Sequence, residues 1–545
     1  MRAVFVRPSN PSGSAYLTKF GFLPAPLSLL TLAAVLRERG DEVQVLDMEA
    51  DPEATIPAAV RKIADFRPDL VGLTLHATAA HATAIEISRR IKSQLPEVVT
   101  VVGGHHATFV SQPLLRGGFD VVAMGEADAT IAELAGAIED HRSFAGVKGI
   151  AYREGAELHR TPPRRLIENL DALPMPGFDL VPFQRYPFRV FGEGSHVACI
   201  ETARGCPYAC DFCSVTPTWG NKWRSKTNGR ILEEIETVLR IGYDWVFFTD
   251  DIFLVQPNLV QRRQLFDEIL SRGLRFRFIA QMRCDTTSRH PELVRSAAQA
   301  GLRVGFLGVE SGSQETLRRM HKGIYTADSV RAVRILRENG VISLCGMMLG
   351  APYESVWDEL HTIRFAHALA RNGADAVQFS LYTPLPGTRI FDQSLRENRL
   401  FTLDWSRFDI LTPVMRGRVK PHTTQLIQAL GHYSFYLVKW VRGKVNPFPS
   451  NPEHDYLSRQ AGRYFVTNLR TYLGDILRLP VDIERTRRLY VRGQAQSIPA
   501  SDLIELRKSS GQIVYDVGAA RNPYFKVGTD PGDHHPESVP DPVPG

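Results

Sequence analysis

The sequence predicts an α/β protein made of two successive parallel-sheet units followed by a helical region. Three observations carry that reading. The first ~140 residues alternate short apolar runs with amphipathic stretches about one helix long. After a Pro-rich interruption, a second series of six such runs fills 196 to 400. Beyond 400, apolar residues recur at helical spacing instead. The chain therefore divides into a Rossmann-like unit (1–145), a hairpin and Pro-rich linker (146–195), an incomplete barrel (196–400) and a mostly helical region (401–525). A tail rich in Pro, Asp, Gly and His (526–545) is expected to be disordered.

In the first unit, "RAVFVRP" (2–8) reads as a strand, and the apolar run after Pro26 reads as a helix ended by Gly40. "EVQVLDM" (42–48), "DLVGLTL" (69–75), "VVTVVGG" (98–104) and "FDVVAMGE" (119–126) continue the sheet. Ligands of such sheets bind outside the carboxyl ends of the strands. That edge carries Arg7 to Gly13, Thr74 to His76, Gly103 to His106, and Gly125 with Glu126. "KGIAYREGAELHRTPPRR" reads as a hairpin, and "LDALPMPGFDLVPFQRYPF" (170–188) as a linker, because its prolines interrupt regular structure.

The second series comprises "VACIET" (197–202), "DWVFFTD" (244–250), "RFRFIAQM" (275–282), "RVGFLGVE" (303–310), "VISLCGMML" (341–349) and "DAVQFSLY" (375–382), with helical patterns between them. Right-handed crossovers would curve six strands into a partial (β/α)6 barrel, short of the eight of a closed one. Past it, "LDWSRFDILTPV" (403–414) and a helix over 424–445 are placed to cap the open barrel, and "GQIVYDV" (511–517) is the one late strand-like run.

Composition narrows the function classes. At 545 residues, 43% hydrophobic and 23% charged, the chain has the make-up of a globular protein of several domains. No apolar run approaches the roughly 20 residues that span a bilayer. A net charge of +6, dispersed among acidic residues, predicts no nucleic-acid partner. The first residues lack a signal-peptide core, so a reducing cytoplasm is the expected compartment. There, clustered cysteines mean metal or catalysis rather than disulfides.

Three of the six cysteines sit together in "RGCPYACDFC" (204–213): Cys206, Cys210 and Cys213. Structural zinc would recruit a fourth ligand, and none lies at close spacing. A cubane iron–sulfur cluster is held by thiolates, and three of them leave one iron open to a substrate. Cys199, Cys284 and Cys345 read as barrel-interior residues.

The C-x3-C-x2-C spacing, with Phe212 before the last cysteine, resembles the signature of the radical S-adenosylmethionine (radical SAM) superfamily. The resemblance implies a [4Fe–4S] cluster on Cys206, Cys210 and Cys213, which are then both metal ligands and catalytic. It also implies S-adenosylmethionine on the open iron, cleaved by one electron to a 5′-deoxyadenosyl radical. Motifs at later strand ends agree. "FFTDDIF" offers Asp250 and Asp251 for the methionine amine, or else a helix cap. "QMRCD" offers Gln281 and Arg283, the latter for the carboxylate. "GVESGS" offers Glu310 or Ser311 for the ribose. "MLGAPYES" and "YTPLPGT" resemble closing motifs of the branch with an N-terminal cobalamin domain.

That branch predicts cobalamin in the first unit. "VGLTLHAT" and "VVGGHHAT" resemble its two loops, with Thr74, His76, Gly103, Gly104, His105, Gly125 and Glu126 as contacts. The Asp-x-His-x-x-Gly motif that gives cobalt a histidine is absent, since the first loop reads "RPSNPSG". His76 is the residue placed to approach the lower face, with hydrogen bonding as its plainer role. No G-x-G-x-x-G follows the first strand, which argues against a dinucleotide.

Together these imply a cobalamin-dependent radical SAM enzyme methylating an unactivated carbon of a small natural-product or lipid substrate, with flavodoxin or ferredoxin as electron donor. An oxidative cyclase or rearrangement enzyme on the same fold is the alternative. A non-catalytic cobalamin sensor or carrier is the reading from another class. In the helix over 424–445, the row Leu426, Leu430, Tyr433, Leu437 and Trp440 with a basic end reads first as core, and second as a peripheral membrane contact.

Overall fold

The structure, a computed structural model, describes residues 1–10, 21–51, 53–442 and 451–495. The first unit runs β1 (Arg2–Arg7), α1 (Leu27–Glu38), β2 (Glu42–Asp47), α2 (Ile56–Phe66), β3 (Leu70–Thr74), α3 (His81–Gln94), β4 (Val99–Gly103), α4 (His105–Phe109), α5 (Ser111–Gly117), β5 (Val121–Ala123), α6 (Asp128–Glu139), β6 (Ile150–Glu154) and β7 (Glu157–Arg160). Its sheet has the order β2-β1-β3-β4-β5-β6-β7, parallel through β5. The chain leaves β1 for one side of the sheet and returns through β3 on the other. The crevice at their carboxyl ends is where ligands of such sheets sit. The hairpin β6–β7 is no free-standing piece: β6 pairs antiparallel with β5, Ala123 opposite Ile150, and so extends the first sheet.

The linker over 170–188 folds as single 3₁₀ turns, as its prolines dictate, and is packed rather than loose. Phe178, Val181 and Tyr186 are buried in one core with Leu30 of the first unit and Ile200 and Phe248 of the second. The Tyr186 hydroxyl donates to Asp47 at 3.0 Å.

The second unit comprises β8 (Val197–Ile200), β9 (Ala203–Arg204), α7 (Val215–Trp219), β10 (Arg224–Ser225), α8 (Asn228–Ile241), β11 (Trp245–Phe248), α9 (Leu259–Ser271), β12 (Arg277–Met282), α10 (Cys284–Arg289), α11 (Pro291–Gln299), β13 (Leu302–Glu310), α12 (Gln314–Arg319), α13 (Thr326–Glu338), β14 (Ile342–Leu349), α14 (Val356–Arg371), β15 (Ala376–Leu381) and α15 (Arg389–Arg396). Local signals set the ends. Thr227 caps α8 by accepting the Arg230 N–H, and Gly242 at φ +117° takes the left-handed turn that stops it. Six parallel strands lie in the order β15-β14-β13-β12-β11-β8, with β15 and β8 as open edges. This is the partial (β/α)6 barrel.

Three helices complete the described chain: α16 (Pro421–Arg442), α17 (Pro452–Thr467) and α18 (Leu469–Ala495). α16 covers the open edge at β15, where Gln428 donates to the Phe379 carbonyl at 2.9 Å and Tyr436 to the Val377 carbonyl at 3.0 Å. Leu457 of α17 is buried against Val197, Trp245, Val304 and Ile342, at the amino ends of the barrel strands. Between 403 and 414 the chain forms one 3₁₀ turn, Trp405–Arg407, and Leu381 donates its N–H to the Ile410 carbonyl at 2.7 Å. The expected strand at 511–517, the tail at 526–545, the end of the helix beyond Arg442 and the loop through Gly13 lie outside the described residues.

Candidate active site

The carboxyl ends of the two sheets face each other across one cavity of about 1860 Å³. On the first-sheet side Thr74, His76, Gly103, Gly104, His105, Gly125 and Glu126 all line it. They converge because each follows a parallel strand. Gly104 is obligatory for a backbone reason: its φ is +105°, and a β-carbon there would lie 2.9 Å from the Leu75 carbonyl. The His76 and His105 rings meet edge to face at 5.3 Å. The His105 Nδ1 lies 2.9 Å from the Thr218 hydroxyl of α7, so this wall is tied to the barrel. Burial, then His76, pushes the His105 imidazole down to about 3, so it is neutral. His76 turns its ring into the cavity, which exposes it there while protein shields it from bulk water. Burial, then Arg7, lowers its basicity. His106 also lines the cavity, and its ring shares a hydrogen bond of 2.8 Å with His81 beside Trp405.

On the barrel side Glu201, Thr249, Asp251, Gln281 and Gln378 line the same space. Asp251 is a half-buried carboxyl that pairs with no cation among the described residues. Burial first, then Glu201 and Asp250, push it up to about 7, opposed by the Gly205 N–H. Its neighbour Asp250 turns the other way. It accepts the Thr202 N–H at 2.6 Å, the Ala203 N–H at 3.2 Å and the buried Arg262 guanidinium at 2.8 Å, and it does not line the cavity.

Cys206, Cys210 and Cys213 occupy the loop after β9, each half-buried as a free thiol. The Cys213 N–H donates to the Cys210 carbonyl at 3.2 Å. Burial, then the Cys210 thiol and Asp251, push Cys206 up to about 11; burial and the other two thiols raise Cys213 further. Among the described residues no three such side chains already converge at metal-ligand spacing. Three thiols on one eight-residue loop, close enough to perturb one another and beside a cavity carboxyl, are nonetheless the donor set an iron–sulfur cluster takes.

Arg283, Glu310 and Ser311 do not line the cavity and bond to protein instead. Arg283 stacks on the Tyr208 ring between two of the cysteines, its guanidinium 3.6 Å from the ring centre, and pairs with Asp285 at 3.0 Å. Glu310, at φ +64°, pairs with Lys322 at 2.5 Å. Ser311 is within 3.1 Å of the Thr362 hydroxyl and accepts the Ser313 N–H. Glu126, although at the rim, bonds the barrel's Arg224 at 2.8 Å and Arg204 at 3.2 Å, and accepts the Ile167 N–H at 2.6 Å. Arg204 also reaches Asp128 at 2.9 Å and Glu201 at 2.7 Å, and lies over Trp219. Sequence reasoning missed Glu201, Arg204 and Trp219. Arg204 stood in the quoted cysteine motif, but its partner is 78 positions away.

A flavodoxin-like sheet order, an open six-stranded barrel with three thiols after its first strand, and one cavity between them define a protein that sets a sheet-edge ligand site against a thiolate cluster site. Family comparison agrees: the B12 binding domain matches residues 13–135 and the Radical SAM superfamily matches residues 200–366. The chain belongs to the radical SAM superfamily, in the branch with a B12 binding domain ahead of the barrel. It is 31% identical to an uncharacterized methyltransferase of Pyrococcus horikoshii, over 80% of this chain and 93% of that one. It is 28% identical to the hopanoid C-3 methylase of Methylococcus capsulatus (75% and 76% covered). It is 27% identical to the anaerobic magnesium-protoporphyrin IX monomethyl ester cyclase of a Synechocystis species (77% and 82% covered). Its fold superposes on the cobalamin-dependent S-adenosylmethionine radical enzyme OxsB with a TM-score of 0.66 at 18% identity, over 92% of this chain and 79% of that one. The protein is thus a radical SAM enzyme whose cofactors are cobalamin, a [4Fe–4S] cluster and S-adenosylmethionine.

Proposed function

We propose that this enzyme transfers a methyl group to an unactivated carbon of a small natural-product or lipid substrate. The observation that carries the reading is the single cavity walled by both strand ends. A substrate carbon in it would face the cobalamin edge and the cluster edge at once. When bound, the groups supply a carbon-centred radical oxidant and a transferable methyl group. Cys206, Cys210 and Cys213 are assigned to the cluster. Asp251, with Glu201 behind it, is assigned to the methionine ammonium, because a half-buried carboxyl without a cation is matched by one. Gln281 serves as a neutral hydrogen-bonding group on the same wall. Thr74, His76, Gly103, Gly104, His105 and Gly125 form the cobalamin face. Asp250, Arg283, Glu310, Ser311 and Glu126 act as positioning residues, since protein partners occupy their polar atoms. With the hairpin assigned to it, the first unit extends from 1 to 160, ahead of a barrel at 196–400 and a mostly helical region at 401–525.

The electron donor is proposed to be a flavodoxin or ferredoxin in a reducing cytoplasm. Among the described residues no helix is long and apolar enough to cross a membrane. The second reading, an oxidative cyclase, is favoured by the Synechocystis relative. The test is anaerobic reconstitution with iron, sulfide, cobalamin, S-adenosylmethionine and reductant. Both S-adenosylhomocysteine and 5′-deoxyadenosine are expected. Deoxyadenosine alone selects the cyclase class. Cys210→Ala should abolish deoxyadenosine and the visible absorption of the cluster; a wild type that binds cobalamin but forms neither product would select the carrier.

A further inference from the structure

A closed (β/α) barrel is filled by layers of inward side chains. This one is not. The cavity runs on from Asp251 and Gln281 down the barrel interior past Phe247, Ile279, Val304, Phe306, Ile342 and Leu344. Phe247, Phe306 and Leu344 are only partly buried, because they border open space rather than one another. The strand side chains along this length are apolar. At the far end the cavity is lined by Tyr436 and Lys439 of α16, by Ser458, Ala461, Gly462 and Phe465 of α17, and by the ionisable Arg337, Asp375, His454 and Asp455. Gly462 is also surface-exposed, and no atom of the described residues lies within 4 Å of where its β-carbon would stand, so among the described residues the cavity opens there.

The helices around that mouth carry apolar surface that nothing in the described chain covers. On α16, Leu430 is 56% and Leu437 61% exposed, in one row with Leu426 and Tyr433. On α18, which packs against α16, Leu473, Leu477 and Val481 form a second row, with Leu477 79% exposed. α17 and α18 together carry eight arginines against five acids, and Arg459, Arg463, Arg470 and Arg478 are exposed. Apolar rows on arginine-rich helices match the acyl and anionic headgroup layers of a bilayer surface.

We infer that α16 to α18 dock on an anionic membrane surface and that the apolar bore behind them admits an elongated lipid substrate to the reacting end of the barrel. The inference rests on the proposed reaction only in naming what enters; its test reads binding, not turnover. The reconstituted holoenzyme is sedimented with vesicles of phosphatidylcholine alone or mixed with phosphatidylglycerol. A pyrene-labelled long-chain alcohol then reports uptake into the bore. Binding to the mixed vesicles is expected, with Leu430→Glu plus Leu477→Glu weakening it about tenfold or more. Both positions are on the surface, so folding is spared. Ala461→Trp should leave vesicle binding intact and reduce probe uptake several-fold. Failure of the wild type to bind the mixed vesicles, or to take up the probe, overturns the inference. So does a dimer in light scattering that the two Leu→Glu changes split, because the face then belongs to a second copy. A methyl-transfer assay that fails while vesicle and probe binding succeed removes the proposed reaction and leaves this inference standing.

Discussion

Two adjacent aspartates after β11 have opposite fates, and mutation separates them. Asp250 is the counter-charge of Arg262, which is wholly buried. Removing one partner of a buried pair strands the other charge, so Asp250→Ala should cost about 3–5 kcal/mol of stability. Asp251 has no such partner and faces the cavity. Asp251→Asn should leave the melting temperature unchanged or slightly raised, and weaken S-adenosylmethionine binding about tenfold or more by titration calorimetry. Equal melting losses for both would remove the distinction. The sequence brought both residues to this spot because they end a strand of a parallel series. It did not say which one faces inward, because the turn after Phe248 decides that. The three cysteines were legible because their spacing is local chemistry. Glu201 was not, since a carboxylate near a strand end carries no signal until the opposite wall is known.

At the scale of elements, apolar runs bounded by polar or glycine residues placed all six barrel strands, five of them observed one or two residues shorter at one or both ends and β13 one residue longer. The terminal residues of those five runs are caps and loop starts rather than ladder members. The pairing of the hairpin was not legible. Ile150, Ala151 and Tyr152 read as one arm of a local hairpin, and only the exposed edge of β5 makes that arm a strand of the first sheet. The α14–α16 contact carries a pH-dependent term. Glu359 of α14 is buried and accepts the Thr424 hydroxyl of α16 at 2.8 Å. Burial raises it to about 8; the Thr424 bond opposes that rise, and Glu354 and Asp358 add to it. A carboxyl with a raised folded pKa contributes stability that is complete below its unfolded pKa, near 4.3, and is lost as pH climbs through about 8. Glu359→Gln keeps the Thr424 contact without the charge. Its melting temperature should match wild type at low pH and exceed it by several degrees at alkaline pH, measured by scanning fluorimetry across the range. A gap independent of pH would assign the effect to packing.

At the scale of the whole molecule, function requires that two sheets from different units hold their carboxyl ends at a fixed separation. Two devices do this. One is the apolar layer of Phe178, Val181 and Tyr186; the other is the buried cluster in which Glu126 and Asp128 of the first unit hold Arg204 and Arg224 of the barrel. The ionic cluster is directional and sits at the cavity rim, so it fixes orientation, while the apolar layer supplies adhesion. Glu126→Ala leaves Arg224 buried with the Ile167 carbonyl as its one remaining partner among the described residues. The wild type is expected to unfold in one calorimetric transition that cobalamin shifts upward as a whole. Glu126→Ala should divide it into two transitions, of which only the lower responds to cobalamin, because the first unit then melts independently of the barrel. The same variant should retain its cluster absorption and lose methyl transfer in greater proportion than deoxyadenosine formation, since the radical end of the cavity is intact and the cobalamin wall has moved. A single transition merely displaced downward would mean that the linker layer alone couples the units, and the ionic cluster would then be a local feature of the rim.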